Sequence, residues 1–288
     1  MKNINEGKAE VLIQALPYIQ KFQGKTIVVK YGGNAMINPE LKNQVMHDIA
    51  LLSCLGISIC LVHGGGPEID KMLRAVGIES RFVQGLRYTD AETMEIVQMV
   101  LCGKVNKDIA ALLDAAGAKA IGLSGIDGGL LKAHILNAEL GFVGEIEAVD
   151  AGFLSKIIDA GIVPVVSSVA INVNAKNDEA KSLNINADTA AAEIAAALHA
   201  EKLILMTDVP GILADVQDNM SLIPLIKKEE IEGFVSNGTV SKGMIPKVQC
   251  CKRALEGGVQ QAHIIDGRQQ HSLLVELFTD AGIGTMIV

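Results

Sequence analysis

Two short β-branched runs that each end on glycines constrain this chain more than anything else in it. Thr26-Ile27-Val28-Val29-Lys30 runs straight into Tyr31-Gly32-Gly33, and Ile57 to Val62 runs into His63-Gly64-Gly65-Gly66-Pro67. Apolar runs without alternation predict strands buried on both faces, as in a parallel sheet covered by helices. Further strands are predicted over 119–123, 162–166, 202–206, 262–265 and 285–288. Helical stretches stand between them. Leu41 to Leu55 stops at Gly56, and a helix follows Pro67, which suits the first helical position. Residues 91–116 hold one or two helices with Gly103 as a break, and 187–200 and 243–256 hold others. Two short runs around Gly141, Leu131 to Ile135 and Phe142 to Ile146, predict a β-hairpin. The alternation predicts an α/β protein with a central, mainly parallel sheet.

The chain has 288 residues, 49% of them hydrophobic, enough for a sizeable core. The polar stretch from Asn172 to Ser182 is the expected boundary. It divides the chain into an N-terminal helix (1–25), an N-terminal lobe (26–178) and a C-terminal lobe (179–288). A net charge of −8 argues against nucleic acid as a partner. No apolar run approaches the roughly 20 residues of a membrane span, and Met1 to Glu10 do not read as a secretory signal. The expected location is the cytoplasm. The five cysteines have no Cys-x-x-Cys pairing and read as reduced thiols, with no metal site.

Glycines after a strand let backbone N–H groups approach a phosphate closely, and a helix N-terminus adds partial positive charge. Lys30, beside Gly32 and Gly33, and Lys247, in Lys242-Gly243-Met244-Ile245-Pro246-Lys247, would neutralise such an anion. Each segment alone also reads as a plain turn, and His63 reads as structural. Asn186 or Asp188 could simply cap the alanine-rich helix. Alternatively Asp188 fixes the two lysines by charge-assisted hydrogen bonds while Asn184 contacts substrate. Arg87 precedes a helix that Thr89 or Asp90 would cap, and it could grip a carboxylate with two parallel bonds or lie in solvent. No Gly-x-Gly-x-x-Gly opens a helix, no P-loop is complete, and His-Glu-x-x-His is absent.

Taken in order, these motifs resemble the amino-acid kinase family over nearly the whole chain. They continue through Gly85-Leu86-Arg87, Asn184 to Asp188, Thr207 to Leu213, Asp266-Gly267-Arg268 and Gly282 to Ile287. Within that family they resemble the branch that phosphorylates N-acetyl-L-glutamate. The resemblance implies a three-layer αβα sandwich in which the N-terminal lobe binds the amino acid and the C-terminal lobe binds ATP with Mg²⁺. It implies that Lys30 and Lys247 stabilise the transition state and that Asp188 organises them. Gly64, Gly65, Arg87 and Asn184 would contact the substrate. Gly32, Gly33, Thr207, Asp208, Gly211, Ile212, Leu213, Lys242, Gly243 and Met244 would hold the nucleotide. Ile126 stands where the family usually has Lys. Rival readings are a sister kinase for glutamate, aspartate or an aminoadipyl carrier protein, and a non-catalytic amino-acid sensor on the same fold.

Ahead of the first strand, Leu12, Leu16 and Ile19 recur at helical spacing, with Pro17 expected to kink the segment. By resemblance this is the arginine-inhibited branch, whose N-terminal helices interlace dimers into a homo-hexamer. L-Arginine would then bind near Tyr18, His271, Glu276 and Gly282. The same likeness leaves room for a PII-type signalling protein as a partner.

Overall fold

The computed structural model describes residues 4–176, 181–240 and 243–288. The expected boundary at 178/179 and the expected nucleotide contact Lys242 lie outside the described residues. Fourteen strands are described: β1 Thr26–Tyr31, β2 Ser58–His63, β3 Phe82–Val83, β4 Leu86–Arg87, β5 Ala120–Ser124, β6 Leu131–Ile135, β7 Gly144–Val149, β8 Val163–Ser167, β9 Val169–Asn172, β10 Ser182–Asn184, β11 Lys202–Thr207, β12 Leu225–Ile226, β13 Gln261–Asp266 and β14 Thr285–Ile287. The α-helices are α1 Ile4–Phe22, α2 Asn34–Ile37, α3 Pro39–Cys54, α4 Gly66–Ala75, α5 Ala91–Gln98, α6 Asn106–Ala115, α7 Ala151–Asp159, α8 Ala187–Ala197, α9 Ile231–Ser236, α10 Ile245–Glu256 and α11 Ser272–Phe278.

Eight strands form the central sheet in the order β12-β14-β13-β11-β1-β2-β8-β5. From β13 to β5 every neighbour is parallel, and β14 runs antiparallel to β13. β1 lies in the middle: Val28 pairs with Cys60 on one side and Leu203 on the other. Its side chains feed two separate cores. Val28 packs in one, while Ile27, Val29 and Tyr31 pack in the other. A strand buried on both faces needs a helical layer on each, which makes the three-layer αβα sandwich. The strands' common direction brings the loops after β1, β2, β8 and β11 to one edge, where ligands bind in open α/β sheets.

The expected hairpin is β6 and β7, paired antiparallel inside a four-stranded sheet of order β10-β9-β6-β7. Gly103 does not break the helical run over 91–116. A seven-residue π-helical segment, Met99–Val105, carries α5 into α6. Pro17 lies inside α1 without ending it. Phe22 is buried at the foot of that helix, whereas Val11, Leu12 and Leu16 are exposed on it. All five cysteines are free thiols. Among the described residues no helix is long and apolar enough to cross a membrane.

Candidate active site

Asp188 stands in the first turn of α8, where capping the helix and facing the lysines fall to different side chains. Asn186 is the cap, accepting hydrogen bonds from the Asp188 and Thr189 N–H groups at 2.9 and 3.1 Å. That leaves the Asp188 carboxylate for the lysines. Lys30 Nζ, at the end of β1, lies 3.0 Å from Oδ1, and Lys247 Nζ, in the first turn of α10, lies 2.6 Å from Oδ2. Burial alone would raise the Asp188 carboxyl, but the fields of Lys30 and Lys247 outweigh it and pull its pKa to about 2. The side chain is 8% exposed, so the ion triad works in a poorly screened setting.

Two cavities open on this triad. One, of about 380 Å³, is lined by Lys30, Gly33, the stretch from Met206 to Leu213 other than Pro210, Gly243, Met244 and Lys247. Thr207 shapes its floor, accepting from the Val209 N–H and donating to Ile265 O. Gly211 has a φ of +149°, and a side chain there would strike Leu222 and Thr285. The second cavity, of about 300 Å³, is lined by Lys30, Gly32, Gly33, Gly64 to Gly66, Arg87, Asn184 and Ala187 among others. The two share Lys30 and Gly33. Gly33 has a φ of +68°, and a Cβ at that position would collide with the Asp208 carboxylate. A Cβ on Gly32 would lie 2.7 Å from Lys30 Nζ.

Arg87 is buried, not a solvated surface arginine. Its Nη1 bonds Asp70 Oδ1 at 2.6 Å and Ser80 Oγ, and its guanidinium stacks 4.7 Å above the Phe82 ring. Burial would raise the Asp70 carboxyl, but its bonds to Arg87 and Ser80 hold it below the usual range. Asn184 donates to Thr89 Oγ1 at 3.1 Å, and Asp90 caps α5. His63 is fully buried, its ring between Gly64 O and Asn106.

The four expected effector residues do not all meet. Tyr18, Glu276 and Gly282 line a third cavity of about 370 Å³. It lies where β11 and β13 begin, the opposite sheet edge from the glycine loops. His271 is elsewhere: it sits at the N-cap position just before α11 in a left-handed conformation and bonds the buried Asp48 at 2.6 Å. The histidine in this cavity is His263, 2.7 Å from Glu276 Oε1, with Lys202 Nζ 3.1 Å from its other nitrogen. Sequence reading passed over His263 and Lys202 because each stands in a strand among apolar residues. A charged residue opening a buried strand was the available signal for Lys202. Burial would raise Glu276, yet its bonds to His263 and the Ile283 N–H and the Lys202 charge hold it low. Tyr18 donates from α1 to Asp280, closing the cavity's outer wall.

A buried lysine–aspartate–lysine bridge thus stands where two cavities meet, at the carboxyl edge of a parallel sheet. The amino acid kinase family model matches residues 25–266, and the chain belongs to that family. It is 53% identical to the acetylglutamate kinase of Thermoanaerobacter pseudethanolicus over 97% of its own length and 93% of that protein. It is likewise 53% identical to the acetylglutamate kinase of Brachyspira hyodysenteriae over 99% of both chains. Among solved structures it resembles the N-acetylglutamate synthase of Neisseria gonorrhoeae complexed with coenzyme A and N-acetyl-glutamate, with a TM-score of 0.84 at 28% identity. The chain is 97% covered in that match but spans only 63% of the synthase. The same synthase complexed with L-arginine matches at a TM-score of 0.78.

Proposed function

We infer that the chain is an ATP-dependent acetylglutamate kinase, transferring the ATP γ-phosphoryl group to the γ-carboxylate of N-acetyl-L-glutamate in arginine biosynthesis. The observation that carries the reading is the shared wall: two cavities meet at Lys30 and Gly33, beside an Asp188 that bridges Lys30 and Lys247. N-Acetyl-L-glutamate occupies the cavity of Arg87 and Asn184, and the nucleotide occupies the one bounded by Thr207 to Leu213 and Gly243-Met244.

The acceptor carboxylate, with an ordinary pKa near 4.3, is already ionised at neutral pH and needs no general base. A carboxylate oxygen attacks the γ-phosphorus, the bond to the bridging oxygen breaks, and ADP leaves with that electron pair. The product is N-acetylglutamyl 5-phosphate. Negative charge concentrates between two anions during this step, so fixed cations and backbone N–H groups carry the catalysis. Asp188 holds Lys30 and Lys247 on either side of it, leaving their remaining N–H bonds for phosphoryl oxygens. Mg²⁺, carried on the nucleotide's phosphates, adds further positive charge when bound. Asp70 and Ser80 on Nη1, with Gly66 O 3.4 Å from Nη2, fix the plane of Arg87 so that its remaining N–H groups meet the substrate's α-carboxylate in one orientation. Gly33 leaves the backbone of the shared wall bare, and Gly32 does the same beside it in the acceptor cavity.

L-Arginine reads as the effector of the third cavity. Glu276 would pair with its guanidinium and Tyr18 would couple the ligand to α1. The exposed Val11, Leu12 and Leu16 of that helix would be covered in a hexamer assembled as a trimer of dimers. Five free thiols fit a cytoplasmic location. The test is ADP release measured side by side with N-acetyl-L-glutamate, glutamate and aspartate. The reading requires turnover with the acetylated substrate to exceed the others by at least tenfold; comparable or greater turnover with glutamate or aspartate would replace it with a sister kinase.

A further inference from the structure

His63 is a fully buried imidazole that the transfer step does not use, yet it adjoins the glycines that line the acceptor cavity. Its protonation can be read from its neighbours. Asn106, also fully buried, is the first residue of α6. Its Nδ2 lies 3.0 Å from Leu123 O and 2.8 Å from Val165 O. Two carbonyl partners require that this atom be the amide nitrogen. Its Oδ1 accepts from Lys107 Nζ at 3.1 Å, which fixes the same orientation independently. The same NH₂ group lies 3.0 Å from His63 Nε2, so its two hydrogens are shared among three acceptors; an amide nitrogen accepts no hydrogen bond, and Nε2 must therefore present a lone pair. The ring proton is then on Nδ1, which donates to Gly64 O at 2.8 Å. Burial, working against that bond, pushes the ring pKa down to about 4, so the imidazole is neutral at physiological pH.

The carbonyl it holds belongs to the Gly64–Gly65 peptide. A trans peptide is planar, with its C=O and N–H pointing in opposite directions. Tying Gly64 O to the buried ring therefore turns the Gly65 N–H away from the interior, toward the cavity that Gly64, Gly65 and Gly66 line. Glycine leaves this peptide free to rotate, so something must hold it. Gly65 cannot take a side chain to stiffen itself, because a Cβ there would lie 2.7 Å from Leu101 Cδ2.

We propose that His63, locked by Asn106 as its Nδ1–H tautomer, is a positioning residue that aims the Gly65 N–H at the phosphoryl group in flight. The inference rests on the kinase reading above and deepens it. Preorganised donors stabilise developing charge because they need not reorient during the reaction. A peptide free to rotate would lose part of that benefit. The partner of the ring is a second residue, so the arrangement is a relay of orientation from three strands: Asn106 gathers Leu123 of β5, Val165 of β8 and His63 of β2.

Nitrogen-15 NMR of the full-length protein reads the tautomer directly, and kinetics reads its consequence. Nδ1 should be protonated and Nε2 bare. His63→Leu, which removes the donor, should lower kcat about tenfold with the KM for ATP within about twofold. His63→Asn sets an amide N–H near the place of Nδ1 and should recover most of that loss. Wild-type protein with a protonated Nε2 overturns the proposal, even if His63→Leu does not fold. So does a His63→Leu enzyme with unchanged kcat, or a His63→Asn enzyme as slow as it. Wild-type protein that releases no ADP with N-acetyl-L-glutamate would instead refute the kinase reading, which the tautomer measurement does not touch.

Discussion

Lys247 Nζ lies 2.6 Å from Asp188 Oδ2, although the two residues stand 59 positions apart and on different helices. The contact docks the first turn of α10 onto the first turn of α8. With Lys30 on the other oxygen of Asp188, it turns two cations that would repel each other into one preorganised clamp.

Lys30→Ala and Lys247→Ala should each lower kcat by about 10²-fold or more, since in the proposed mechanism each removes a donor used when charge develops. The KM for ATP should change far less. Steady-state kinetics with both substrates checks this, and near-normal turnover in either variant would remove that lysine from the clamp.

Arg87→Lys should raise the KM for N-acetyl-L-glutamate by about tenfold, with a smaller effect on that for ATP. Lysine keeps the charge. It loses the planar fork that meets Asp70, Ser80 and the cavity together. An unchanged KM would place the substrate carboxylate elsewhere.

Much of this arrangement is legible in the sequence because its signals are local. A β-branched run followed by glycines marks β1 and β2 and their loops, and Asn186 precedes its helix as a cap should. What is not legible depends on distant partners. β3 and β4 have two residues each, too few for any periodicity, and exist only as a pair. β9 and β10 acquire their register from each other and from β6. The π-helical turn at Met99–Val105 is packed by Leu101 and Val105 against Gly65, a contact across the fold. His263 reads as one more strand residue until Glu276 and Lys202 are seen beside it. His271, the more conspicuous choice next to a helix start, is occupied with Asp48.

Stability should fall as the pH drops from about 6.5 to about 4, in part through His63. Its folded pKa of about 4 is depressed. Below pH 6.5 the unfolded chain takes up a proton that the folded chain refuses, so the neutral form's advantage is complete above 6.5 and lost toward 4. Linkage puts the effect at about 3 kcal/mol over that window. Urea unfolding of wild type and His63→Asn at several pH values checks it. The variant should lose that part of the slope; identical slopes would show that His63 does not carry it.

Deleting residues 1–22 should leave active dimers that arginine no longer inhibits, because α1 supplies Tyr18 to the third cavity and packs against α11. Arginine can inhibit only by binding the less active arrangement better than the active one, and the deletion removes that difference. Light scattering and inhibition curves decide it. A truncated hexamer, or a truncated enzyme still inhibited by arginine, would contradict the assignment.

Trapping the product with hydroxylamine tests the central claim most directly, because only an acyl phosphate is converted to a hydroxamate while ADP is released. With ATP, Mg²⁺ and N-acetyl-L-glutamate, wild-type protein should form one hydroxamate for each ADP, and Lys30→Ala and Lys247→Ala should slow both in parallel. ADP released without hydroxamate, or hydroxamate formed equally well from glutamate or aspartate, would contradict the account.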